Sequence, residues 1–478
     1  MTLANSDNAT SSRAPIDRSG HTEAAVAFVV RMAARILPLA RSILLGADDR
    51  ALAQRNAVIA FAVRVTSAAL LYVTQVLLAR WMGAFEYGIY VFIWTWVLVL
   101  GGLSPLGLNL AVIRLIPEYR ERGELAKLRG VTFGSNLAAF AVGTLVAILG
   151  AAGLWFFAPQ VSNYYVMPLY LALICIPIYA LGDMQDGMGR SQAWMSIALI
   201  PPYILRPLTV LGSMVVAHEM GMPMTATTAA GAAIFATWLS ALIQFTLVSM
   251  RMSKSVPAGP RSYNWGLWLK TSFPLFVICA CELALQNADV LIVSSLMSPH
   301  SVAVYFAAAK TMSLIMFVHY AVGSAVANRF SALHARGDRD ALKAFVRDAV
   351  NWTFWPSLAA AIVILALGRP LLWLFGPDFL EGYPVMLILV AGFLFRSAMG
   401  PSEFLLNMAG EQNACAMVLV FTAVLNVVLN LLLIPAFGLN GAALATALSL
   451  ITTALLQYTV ARRRLGLDVA IWSAWRRD

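Results

Sequence analysis

The chain alternates long apolar runs with short polar ones, and the runs have the length of a bilayer crossing. A hydrocarbon core roughly 30 Å thick needs about 20 apolar residues in helical conformation. Runs of that kind fall at 57–79, 87–112, 130–155, 165–184, 196–217 and 226–250, then at 271–296, 301–328, 349–374, 384–405, 413–436 and 439–461. The pattern predicts an all-α polytopic membrane protein of about 12 spanning helices. Gly101, Gly102, Pro105 and Gly107 interrupt the second run, so a kink or an unwound turn is expected there.

The order of the runs repeats. Val76-Leu77-Leu78 followed by Gly88-Ile89-Tyr90 matches Val290-Leu291-Ile292 followed by Ala303-Val304-Tyr305. Gly231-Ala232-Ala233 with Ser240 and Gln244-Phe245 matches Gly441-Ala442-Ala443 with Ser449 and Gln457-Tyr458. With six helices per repeat, both halves have the same orientation, which predicts two six-helix bundles about an axis along the membrane normal, with a central cavity between them. The expected division is an N-terminal tail at 1–54, a bundle at 55–250, a linker at 251–270, a second bundle at 271–462 and a C-terminal tail at 463–478. Residues 23–45 are apolar but carry Arg31, Arg35 and Arg41, which suits an amphipathic helix lying in the interface better than a span.

Charge orients this pattern. Of the 33 Lys and Arg, 27 lie in the N-terminal region, in 114–129, near 190, in 251–270, in 329–347 and in the C-terminal region, all on one side of the predicted set. The positive-inside rule puts that side, and both termini, in the cytoplasm. The formal net charge of +10 therefore belongs to membrane topology and gives no reason to expect nucleic acid. Only 12% of residues are charged, about half the share in a soluble domain. Cys175, Cys279, Cys281 and Cys415 all lie in apolar runs, and no Cys/His grouping has metal-ligand spacing, so they are expected to be packing residues and no metal site is expected.

Arg80 lies on the other side and Arg369 close to a helix end, which leaves Arg64, Arg206, Lys310 and Arg396 inside four different runs. Arg64 is nine residues past Arg55, hence ~13 Å into the core, and the other three lie at similar depth. A cation at mid-depth costs at least ~2.5 kcal/mol on insertion scales. Snorkelling serves cations near helix ends and fails at the centre. Pairing with the acids Glu282, Asp289 and Glu403 would leave an excess of positive charge. The expectation is a cationic cavity for an anionic substrate, with phosphate best suited to arginine's planar fork. Glu282 and Asp289 share one helix face and are candidates for coupling to H+ or Na+, or Asp289 is a structural partner of Lys310. No phosphate-binding GxxxxGK[ST] loop occurs, no loop is long enough for a catalytic domain, and no other cofactor is expected, so an enzyme is disfavoured.

Ala79-Arg80-Trp81-Met82-Gly83, Glu86-Tyr87-Gly88-Ile89-Tyr90, Ile113-Arg114-Leu115-Ile116-Pro117-Glu118-Tyr119, the stretch from Asp289 to Lys310, and Asn426 to Thr446 together resemble the polysaccharide-biosynthesis (Wzx-type) flippases of the multidrug/oligosaccharidyl-lipid/polysaccharide exporter superfamily. The likeness covers roughly residues 55–460. It implies transfer of an undecaprenyl-pyrophosphate-linked oligosaccharide across a bacterial inner membrane, for O-antigen, capsule or exopolysaccharide. Asp289 and Lys310 match family motif positions; Arg64, Arg206, Arg396 and Glu282 come from depth and charge alone. Ala303 stands where the family usually has Gly, and the long basic N-terminal extension is unusual, a place where another glycan-assembly membrane protein would dock. The rival readings are a cation-coupled multidrug exporter of the same superfamily, a membrane glycan polymerase or ligase, and a scaffold for glycan assembly.

Overall fold

A computed structural model describes residues 49–473. Among these residues there is no strand; the elements are α1 (Asp49–Leu103), α2 (Leu108–Glu121), α3 (Leu125–Phe157), α4 (Asn163–Ser191), α5 (Met195–Glu219) and α6 (Ala226–Ser255). The second half holds α7 (Trp265–Leu296), α8 (Pro299–Arg336), α9 (Arg339–Ala366), the short α10 (Gly368–Phe375), α11 (Tyr383–Ala398), the short α12 (Ser402–Met408) and α13 (Gln412–Val460). Among the described residues, those from 63 onward belong to one compact unit and those up to 62 to another. The expected interfacial helix at 23–45 and nearly all of the expected 1–54 tail lie outside the described residues.

Ten segments among the described residues are long and apolar enough to cross a membrane, and two of them, of 64 and 54 residues, are double. At Gly83 the backbone leaves the helical region (φ 73, ψ 167), a conformation that glycine reaches without steric penalty. Tyr87 then donates its hydroxyl to Gln75 Oε1 at 2.7 Å. In a straight helix the two residues would be about 18 Å apart along the axis, so α1 doubles back at Gly83. Gly438 (φ 58, ψ −135) does the same in α13. Counting each doubled segment as two crossings gives the 12 expected from the sequence.

The expected break after Gly101 is present: helix gives way at Ser104–Gly107, where Leu106 and Gly107 have φ of 53° and 75°. Two expected spans end differently. The run at 349–374 stops at Ala366 and restarts as α10, because Pro370 has no N–H to donate back to Ala366. The run at 384–405 breaks between Ala398 and Ser402, where Gly400 takes φ 59° ahead of Pro401.

The links with most of the Lys and Arg gather at one end of the helices, the basic end; the bends at Gly83 and Gly438 lie at the other, the far end. At the far end a single core joins both halves. It includes Leu78, Tyr87, Ile93 and Ala229 of the first half with Val302, Tyr305, Phe375, Phe379 and Phe393 of the second. Arg80 stitches the same seam, donating to the Trp373 and Leu374 carbonyls at 2.8 and 2.7 Å with its guanidinium 4.5 Å over the Trp373 ring. Towards the basic end the core divides. One part gathers around Leu115, Leu128, Met188 and Trp268, the other around Phe330, Phe345, Leu405 and Ala461. The first turns of α7 stay with the first half through Trp268 Nε1, which donates to the Tyr119 hydroxyl at 3.1 Å.

The seam makes a prediction. A Cβ on Gly88 would sit 1.8 Å from the Pro299 carbonyl oxygen, whereas one on the helical Gly231 meets nothing within 4 Å. Gly88→Ala is expected to destabilise this form by about 1–3 kcal/mol. Gly231→Ala should be neutral or stabilising by up to about 1 kcal/mol. Thermal unfolding followed by tryptophan fluorescence checks both, and equal midpoints for the two variants would contradict the described packing.

Candidate functional site

The four in-membrane cations have two kinds of surroundings. Arg64, on α1, is half-buried with its guanidinium 4.5 Å over the Tyr203 ring. Arg206, on α5, lies 5.2 Å from the Tyr179 ring and 5.5 Å from the Trp94 ring. Lys310, on α8, holds its ammonium 4.9 Å over Phe306. Among the described residues none of these three has a carboxylate within ion-pair distance. Arg396 differs: it sits in the last turn of α11 and donates to Glu403 Oε2 at 3.0 Å, across the break before α12.

Local sequence sets these positions. A π-helical stretch at Pro201–Leu205 precedes Arg206, and such widened turns re-aim the residues that follow. Tyr203 and Arg206 are one turn apart, so α5 brings Arg64 and Arg206 to the same wall of the first half. On the other side of the seam, Tyr72 of α1 and Thr311, next to Lys310, are hydrogen-bonded at 3.3 Å. Arg396 belongs to a separate group in the second half.

The two acids expected to serve ion coupling are also unlike. Glu282 and Gln286 are exposed on α7. Asp289 is buried; it accepts from the Tyr305 hydroxyl at 2.5 Å and from the Val290 N–H at 2.8 Å, with Thr446 Oγ1 at 3.5 Å. In the internal repeat Asp289 corresponds to Gln75, which also accepts from a tyrosine hydroxyl, though from Tyr87, whereas Tyr305 corresponds to Tyr90. Each residue ties the two arms of a helical hairpin. Asp289 makes no ion pair with Lys310 among the described residues. Of the cysteines, Cys175 and Cys415 are buried, while Cys279 and Cys281 are half-buried on α7.

Sequence reading missed Asp183 and Asp186. Hydropathy ends the fourth apolar run at 184, with Asp183 just inside it and Asp186 and Arg190 beyond, but α4 continues to Ser191. The spacing Asp183, Asp186, Arg190 is i, i+3, i+7 and marks one helix face, the signal that could have found them. Asp186 pairs with Arg190, and Asp183 accepts from Asn109 Nδ2 at 2.5 Å. These acids line a cavity of about 60 Å³ with Tyr179, Tyr203, Arg206 and Gln244. The close approach of α2 and α4 needs Gly187, whose Cβ would lie 2.1 Å from the Asn109 carbonyl oxygen. With Asp183 and Asp186 added, the expected excess of positive charge disappears. What survives is the lack of direct partners at Arg64, Arg206 and Lys310.

A family model described as polysaccharide biosynthesis protein matches residues 53–334, and the MatE model matches residues 274–432. The chain is 27% identical over 165 residues to the probable low-salt glycan biosynthesis flippase Agl15 of Haloferax volcanii. That alignment covers 34% of each chain, so the likeness spans about a third of the relative's length. The fold is similar to that of the lipid II flippase MurJ in an inward closed conformation, with a TM-score of 0.68 and 16% identity over 85% of this chain and 87% of that one. An inward-facing multidrug resistance MATE family transporter of the MOP superfamily has a TM-score of 0.68 and 13% identity, over 90% of this chain and 98% of that one.

The Arg396–Glu403 pair can be tested on its own. Glu403→Gln would leave Arg396 unneutralised and is expected to cost about 1–3 kcal/mol. The double variant Arg396→Gln with Glu403→Gln should recover part of that loss. A double-mutant cycle read by thermal unfolding checks the coupling, and additive effects would show the pair to be incidental.

Proposed function

The chain belongs to the polysaccharide biosynthesis protein family, and from that premise we propose that it flips an undecaprenyl-pyrophosphate-linked oligosaccharide from the cytoplasmic to the periplasmic leaflet of a bacterial inner membrane. At the coarser level it is a flippase-like transporter of the MOP superfamily. The observation that carries the proposal is the set of three cations, Arg64, Arg206 and Lys310, each held against an aromatic ring and left without a carboxylate partner. A ring face steadies a cation in low dielectric and leaves its charge available to a ligand. A pyrophosphate diester would supply the missing negative charge, and the two guanidinium forks of one wall suit its oxygens.

The positive-inside rule makes the basic end cytoplasmic. With the far end sealed and the core divided at the basic end, the headgroup would enter from the cytoplasm. Release requires the far-end seam to part, and so alternating access. The polyprenyl tail would stay in the bilayer, in contact with membrane lipids. Glu282, exposed on α7, keeps its carboxylate available for a coupling H+ or Na+, whereas the hydrogen bonds of Asp289 secure a hairpin.

A cation-coupled drug exporter is the second reading, favoured by the MatE match over residues 274–432. Three unpaired cations would repel a cationic drug.

A deletion strain is expected to accumulate unpolymerised lipid-linked glycan and to lose surface polymer. Arg64→Gln, Arg206→Gln and Lys310→Gln should each lower transfer by about 10–100-fold, the effect of losing one charge-assisted contact. Leaflet transfer in reconstituted vesicles measures this. Wild-type transfer by the triple variant would sink the anion site, and normal polymer with lost drug resistance in the deletion strain would favour the exporter.

A further inference from the structure

Arg206 shares its cavity with Asp183 and Asp186, so the proposed headgroup site has acids built into its wall. Their roles differ. Asp186 is committed to Arg190 through one oxygen, while the other, Oδ1, is buried without a hydrogen-bond partner. Asn109 donates to Asp183 through Nδ2, and its own Oδ1 is buried and unpartnered as well. Both residues are more than nine-tenths buried, at 8% exposure. The unmet acceptor of Asp186 belongs to the wall of this cavity and that of Asn109 lies behind Asp183, and buried acceptors without a donor call for a proton or a small cation.

The charges favour a proton. Asp183 is faced by Asn109 of α2, by Tyr179, Asp186 and Arg190 of its own helix, by Tyr203 and Arg206 of α5, by Gln244 of α6 and by Cys279 of α7, with Arg64 of α1 acting on Asp186. A metal ion in this space would sit beside the Arg206 guanidinium, whose positive charge opposes it. A proton on Asp183 removes charge and adds no volume. The Asn109 amide serves both forms: its N–H₂ donates to the carboxylate, and after a flip its carbonyl accepts from the carboxylic O–H.

We propose that Asp183 is a proton-binding residue linked to the headgroup site, so that a proton on Asp183 and a pyrophosphate at Arg206 bind cooperatively. The proposal rests on the flippase reading. Ionised Asp183 lowers the positive potential that Arg206 offers the ligand from across the cavity; protonated Asp183 restores it. Linkage is reciprocal, so headgroup binding draws a proton onto Asp183.

The test uses the full chain in nanodiscs with farnesyl-pyrophosphoryl-N-acetylglucosamine, a diester whose own ionisation is constant near neutral pH. Affinity of the wild type is expected to fall by about tenfold per pH unit once Asp183 ionises. Asp183→Asn, which keeps the shape and a partner for Asn109, should bind as tightly as the acidic wild type at every pH. In weakly buffered solution the wild type should take up about one proton per ligand in the pH range where affinity falls tenfold per unit, a reading that needs no variant. Equal pH profiles for wild type and Asp183→Asn, or no proton uptake, would overturn the linkage and leave the flippase reading intact. Absence of binding at any pH in both proteins would overturn the headgroup site itself, and the linkage with it.

Discussion

A positive charge inside a bilayer has to be held in place without being cancelled if it is to serve a passing anion. A carboxylate holds it best and uses it up. Water holds it poorly and admits leakage. The first half of this chain meets the constraint with ring faces: Tyr203 under Arg64, and Trp94 with Tyr179 around Arg206. The architecture serves that arrangement, since the π-helical turn of α5 and the far-end seam both position residues of this wall. Where the second half takes the other solution, at Arg396 and Glu403, the cation is part of the scaffold.

Much of the fold was legible in the sequence. Run length, the one-sided distribution of Lys and Arg and the internal repeat predicted the helices and the paired halves, because insertion into lipid imposes those patterns directly. The bends were harder to read. Around Gly83 the chain doubles back with one non-helical residue, and the sequence reading expected a loop there. The breaks at Leu367 and at 399–401 were hidden because hydropathy does not change across them, while backbone geometry does.

The candidate site, as proposed, was legible only in its charges. Depth and charge picked out the cations, since a charge in lipid is conspicuous. The acids of α4 were overlooked because they stand where apolar character fades, and hydropathy places the end of a helix there, although α4 runs on for a further turn or more. Asp289 was legible as an unusual acid, but its use was not. Only the three-dimensional pairing of Tyr305 with Asp289 beside Tyr87 with Gln75 shows that each repeat ties its hairpin with a tyrosine hydroxyl, from different repeat positions and once to a neutral amide.

The doubling of α1 at Gly83 also bears on how such a chain enters a membrane. Two apolar arms joined by a single non-helical residue make a short tip, whose free polar backbone is that of two helix ends. They can insert together as a helical hairpin, with Arg80 and Glu86 the only charges near the tip to be carried across. Each finds its partner on segments made later, Arg80 at the carbonyls of α10 and Glu86 at the first N–H of α6. The two charges that burden insertion of the first hairpin thus become the contacts that later elements assemble upon, and the order of synthesis is also an order of docking.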